Sequence, residues 1–234
     1  MWFGLFDPMY LIVLAPAMIL AAWAQWRVKS AYASASRIAN RTGLSGAETA
    51  AEILSSAGVN DVAIRPTRGF LSDHYDPRRK VLRLSPDVYQ GCSLAAVGIA
   101  AHEAGHALQH HRGYAPLALR NGLVPMASAG GTFSMIIFFL GMLMGSVNLV
   151  AAAIVLFSAV VLFQLINLPV EFNASSRARA ELLRLGLVGP GQLKPIGRVL
   201  NAAALTYVAA TLSAILTLLY FLLRSGLLGG IRDE

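Results

Sequence analysis

Apolar residues along this chain gather into long runs, and the charges cluster between them. The first run extends from Met9 to Trp26, opens after Asp7-Pro8 and closes at Arg27 and Lys29. The second covers Leu123 to Pro169 without one charged residue. The third extends from Ala202 to Leu223 and closes at Arg224. A helix needs about 20 apolar residues to cross the hydrocarbon core of a bilayer. The middle run is long enough for two crossings, and Gly141, Gly145, Ser146 and Asn148 supply a turn near its centre. Four spans are therefore predicted, the middle two as a helical hairpin. The first is read as an uncleaved anchor. A signal peptide carries its charges ahead of the apolar run, whereas here they follow it, behind Trp23 and Trp26 at the interface.

The intervening segments show shorter periods. Ser45-Gly46-Ala47-Glu48 has the form of a capping box. It opens a helix with Ala50, Ile53 and Leu54 on its apolar face, and Gly58 is placed to stop it. Val62-Ala63-Ile64 reads as a short strand. Gly69–Ser72 and Lys80–Leu84 are predicted to pair as a β-hairpin across His74-Tyr75-Asp76-Pro77-Arg78. In the second of these strands Val81 and Arg83 share one face, and Leu82 and Leu84 the other. A helical pattern begins near Ser93. Pro169 is suited to a helix break or to a first helical turn.

Composition sharpens this picture. The 234 residues are 56% apolar and only 13% charged, with a mean hydropathy of +0.59. That excludes a disordered chain and is too poor in charge for an ordinary soluble enzyme. The single cysteine, Cys92, excludes a disulfide framework. Of the 19 Lys and Arg, twelve lie between Arg27 and Arg120 and five between Pro169 and Asn201. With four spans both segments fall on one side, which the positive-inside tendency makes cytoplasmic, with both termini outside. The net charge of +7 is spread over loops without a recognition motif, so a nucleic-acid partner is not expected.

Candidate chemistry sits in the helical pattern that follows Ser93. It contains His102-Glu103-Ala104-Gly105-His106. Residues i and i+4 lie on one helix face about 5–6 Å apart at Cβ, so both imidazoles can reach one Zn²⁺. Glu103 falls beside the first ligand, where it can hold and deprotonate a water, as in the H-E-x-x-H arrangement of metallopeptidases. A catalytic zinc commonly has three protein ligands and a water. A metzincin would place a third histidine where this chain has Arg112, so that class is excluded. His110 lies two turns beyond His102, and His110 and His111 read as a polar helix end. Glu171 is the stronger candidate: it follows the third span, and a carboxylate so near hydrocarbon is costly unless it is paired or bound to a metal.

The stretches SDHYDPRRKVLRLSPDVY at 72–89, AAHEAGHALQHHRGY at 100–114, LFQLINLPVEFNASSRA at 162–178 and AAALTYVAA at 202–210 carry a family resemblance. The chain resembles the YugP-like membrane zinc metallopeptidases, similar in plan to HtpX-type membrane proteases. The resemblance implies His102, His106 and Glu171 as zinc ligands and Glu103 as the catalytic base. HtpX-type proteases carry an Asp four residues after the ligand Glu, where this chain has Ser175. Asn173 or Ser175 is left to hold an imidazole.

The expected fold class is a mainly α-helical integral membrane protein with four transmembrane helices. A small cytoplasmic α+β zincin-like domain carries the H-E-x-x-H helix. Its parts would be an anchor at 1–26, the zincin-like domain at 27–122, a hairpin at 123–168, a cytoplasmic segment with the third ligand at 169–201, and a last span with its tail at 202–234. The expected activity is endopeptidase hydrolysis of polypeptides, with membrane proteins among the candidate substrates, at the cytoplasmic face of the cell membrane. Membrane protein quality control is the expected setting. His74, Tyr75 and Tyr207 are candidates to stabilise the oxyanion. The strand Lys80–Leu84 is a candidate edge for substrate pairing. The competing reading is a metal-binding membrane scaffold, or a partner of another membrane protease. Gly130-Gly131 and Gly141-x-x-x-Gly145 permit close helix packing within the chain, in a homo-oligomer or against a partner.

Overall fold

The computed structural model describes residues 7–226. The termini, expected outside the cell, lie beyond these residues at 1–6 and 227–234. The elements in chain order are α1 (Pro8–Ala35), α2 (Gly46–Ser56), β1 (Ala63–Pro66), β2 (His74–Asp76), β3 (Val81–Leu84), α3 (Pro86–Tyr89), α4 (Leu94–His111), α5 (Ala115–Met144), α6 (Val147–Arg184) and α7 (Pro190–Arg224). Among the described residues α1, α5, α6 and α7 are long and apolar enough to cross a membrane. The chain divides into two compact units.

The apolar unit comprises Met1–Trp23, Leu119–Leu168 and Thr206–Glu234. Its core is aromatic: Phe138 stacks on Phe221 with centroids 4.0 Å apart, and Phe157 and Tyr220 pack around them. The turn between α5 and α6 falls at Gly145, whose φ of +64° an L side chain rarely adopts. Gly141 admits α6 so closely that a Cβ would meet the Val150 amide at 2.9 Å. Asp7 caps α1 by accepting from Met9 N–H, and also accepts from the Tyr220 hydroxyl at 2.8 Å.

The polar unit comprises Ala24–Ala118 and Pro169–Leu205. Ser45 and Glu48 form the expected capping box, and α2 buries Ala50, Ile53 and Leu54. The sheet has the order β1-β3-β2, with β1 parallel and β2 antiparallel to β3. Leu82 and Leu84 of β3 are buried together with Ile53, Val88, Leu94, Leu108, Leu182 and Ile196.

Three expectations are corrected here. The first hairpin strand is His74–Asp76, not Gly69–Ser72. Gly69 and Leu71 take positive φ of 106° and 51°, which bends that segment into a turn, and the true hairpin turn ends at Lys80 with φ 49°. Next, β3 is the central strand, so Lys80–Leu84 has no free edge for a substrate; the outer strand of the hairpin is β2. Finally, Pro169 breaks nothing, and α6 runs through it to Arg184. One missing donor costs less than a helix end, which would leave several carbonyls without partners.

Candidate metal centre

Helix α4 starts at Ser93, whose hydroxyl accepts from Ala96 N–H, and it is buried along most of its length. Small residues let its neighbours come close. A Cβ on Gly105 would meet the Ala174 carbonyl oxygen of α6 at 2.7 Å, and one on Gly98 would meet Ile196 of α7 at 2.9 Å. The bare backbone at Gly105 therefore sets the distance between the two histidines of α4 and Glu171 of α6.

His102, His106 and Glu171 converge, each offering one ligand atom, with all three atoms within 4.8 Å of one another. Glu171 Oε2 lies 3.3 Å from His102 Nε2 and 3.6 Å from His106 Nε2. It is buried, yet no donor is aligned to hydrogen-bond it. An unsatisfied buried carboxylate oxygen facing two imidazole nitrogens is costly by itself and reasonable around a cation. The two carboxylate–imidazole distances fit: bonds of about 2.0–2.1 Å at tetrahedral angles place ligand atoms roughly 3.3 Å apart. Two imidazoles and one carboxylate are also the donor set of several catalytic zinc sites.

A second ring of contacts holds the imidazoles. Fully buried Gln109 donates through Nε2 to the Val170 carbonyl at 2.8 Å and to Asn173 Oδ1 at 3.0 Å. Its Oε1 therefore faces His106 Nδ1 at 3.0 Å as an acceptor, so that nitrogen carries the proton and Nε2 presents its lone pair to the centre. Asn173 Oδ1 also accepts from Arg177 Nε at 2.7 Å. Ser175 Oγ lies 3.1 Å from His102 Nδ1. Both hydrogen-bonding groups are neutral.

Glu103 is buried beside the centre. Loss of water around it pushes its carboxyl up to about 7; the charge of His102 opposes this, those of Glu171 and Asp73 add to it, and the Tyr75 backbone N–H, donating to the carboxylate, opposes it. Tyr75 lies in β2, so that strand runs beside Glu103. Its hydroxyl reaches His110 Nδ1 at 2.8 Å, tying β2 to the end of α4. His110 thus has a specific partner, where the sequence suggested only a polar helix end.

The remaining predicted residues are placed as follows. His74 opens β2 with an exposed ring, its Nδ1 2.8 Å from the Ser72 carbonyl, and it lies outside the His/His/Glu cluster. Tyr207 belongs to the apolar unit, where its carbonyl accepts from Thr211 Oγ1 at 2.9 Å. Sequence reasoning missed Gln109 and Gly105. The available signals were an amide three residues after His106 on an apolar helix, and a glycine inside the motif.

Comparison with known proteins places the chain in a family. Residues 10–226 match the family described as "Putative neutral zinc metallopeptidase". The chain is 46% identical over 215 residues to the "Putative membrane protease YugP" of Bacillus subtilis (strain 168), covering 92% of this chain and 96% of that protein. No solved structure matches. With four apolar helices and a His/His/Glu cluster, the chain belongs to this family of zinc metallopeptidases, among membrane-protease relatives.

Proposed function

We propose that the chain is a membrane-embedded zinc endopeptidase of the gluzincin kind, with His102, His106 and Glu171 as ligands and Glu103 as general base. The convergence of three ligand atoms on a buried, donor-free carboxylate oxygen carries this reading. Zinc held there would polarise a scissile carbonyl and lower the pKa of a water to about 7. Glu103 accepts the proton of the attacking water on its carboxylate and passes it to the departing amine nitrogen. Burial raises the proton affinity of that carboxyl, which suits a group that takes up a proton and returns it. Tyr75 N–H holds that carboxylate, while Gln109 and Ser175 hold the imidazoles with Nε2 toward the centre. An extended substrate would run along the outer edge of β2, the strand that runs beside Glu103.

His74 is our candidate for the developing oxyanion. For His74 the support is its place on β2, next to Tyr75, with Nε2 turned away from the Ser72 contact. Residues 27–122 form the zincin-like domain in this reading, and 169–201 join them on the cytoplasmic side, as the sorting of Lys and Arg requires.

Wild type and Glu103→Gln, purified in detergent, test this against an unfolded protein substrate with zinc measured in parallel. Both are expected to hold zinc, with cleavage lower by at least ~10² in the variant. Equal cleavage by both would overturn the mechanism. Zinc in both with cleavage by neither would favour a metal-binding scaffold.

A further inference from the structure

A groove of about 250 Å³ lies within the polar unit, between the C-terminal part of α1 and the first turns of α7. Trp26, Arg27, Ser30 and Ser34 line it from α1, Ile38 from the turn that follows, and Arg198 from α7. Two arginines from different helices therefore line one groove. Ser30 and Ser34, one helical turn apart, add hydroxyl donors. No carboxylate is among the described residues that line it. Arginine forks and hydroxyls match the oxygens of a phosphate better than those of any neutral ligand.

The walls and the position along the chain narrow the class of ligand. Trp26 and Ile38 are exposed at 62% and 39%, and with the exposed Arg27 and Arg198 they surround a floor of Ala31, Ala35 and Pro195. Arg27 is the first charge after the Met9–Trp26 run, and Arg198 lies four residues before the Ala202–Leu223 run. Both arginines thus mark the ends of apolar runs, the level at which lipid headgroups meet a spanning protein. The groove's volume of about 250 Å³ is sufficient for a phosphate with a small headgroup.

We propose that this groove binds the phosphate of an anionic phospholipid, with the acyl chains outside it. The proposal depends on the chain residing in a bilayer and not on its peptidase activity. Native mass spectrometry of the full chain, released from detergent micelles carrying phosphatidylglycerol or phosphatidylcholine, tests it. Wild type is expected to retain one phosphatidylglycerol in clear preference to phosphatidylcholine. Arg27→Gln/Arg198→Gln is expected to lower that retention about ten-fold or more. Arg78→Gln/Arg79→Gln, an equal loss of charge on the β2–β3 turn, should leave it unchanged. Ser34→Phe keeps both arginines, fills the groove and should lower retention like the first pair. Zinc content and circular dichroism report whether each variant is folded. Equal retention in all variants, or no preference for the anionic lipid in wild type, would overturn the proposal. So would retention of inorganic phosphate in place of the lipid.

Discussion

The two units solve opposite problems. In the apolar unit large aliphatic side chains face outward: Ile12, Ile19, Leu143 and Val155 are each more than two-thirds exposed. In the polar unit the costly groups lie inside, with Glu103, His106, Gln109, Glu171 and Ser175 all buried. An exposed isoleucine stripe is a liability in water and is at home in lipid. A buried cluster of imidazoles and carboxylates is a liability in either medium unless a ligand or a complete hydrogen-bond network compensates it. The first unit therefore reads as a response to its solvent, and the second as a cluster able to hold a metal ion.

Substitutions can break or sharpen that contrast. Val155→Asp, on an outward face of α6, is expected to cost about 3 kcal/mol of membrane stability; the same change on a soluble surface would cost roughly 0.5 kcal/mol or less. Steric-trap or detergent-titration unfolding would measure it, and a negligible cost would deny that this face meets lipid. Gln109→Leu removes three hydrogen bonds beneath His106 at little change in volume, so zinc affinity should fall about 10–100-fold in chelator competition. Unchanged affinity would make Gln109 a packing residue only. The smallest effect is expected at Lys80, whose ion pair with Asp61 is about half exposed. Lys80→Gln should change stability by less than about 1 kcal/mol, and less still at high salt.

Much of this contrast was legible in the residues. Period and run length give the four long helices, and the capping box at Ser45 and the alternation of Val81 to Leu84 are visible because they depend on neighbours in sequence. The His102/His106 pair is legible for the same reason, being one turn of one helix. Contacts between distant segments were harder to read. The hairpin slipped because His74-Tyr75-Asp76 looks like a turn, and only positive φ at Gly69 and Leu71 relocates the bend. Gln109 resembles any amphipathic helix residue until α6 packs beside it and supplies Val170 and Asn173. Gly105 gains its meaning only from the carbonyl of Ala174.

The most direct test of the account is the zinc coordination itself, read by X-ray absorption at the zinc edge on the full chain in detergent. The account predicts one zinc per chain, bound by two imidazoles and light oxygen or nitrogen ligands at about 2.0–2.1 Å, and lost in His106→Ala. A sulfur ligand from Cys92, or zinc retained after His106 and Glu171 are both replaced by alanine, would contradict it.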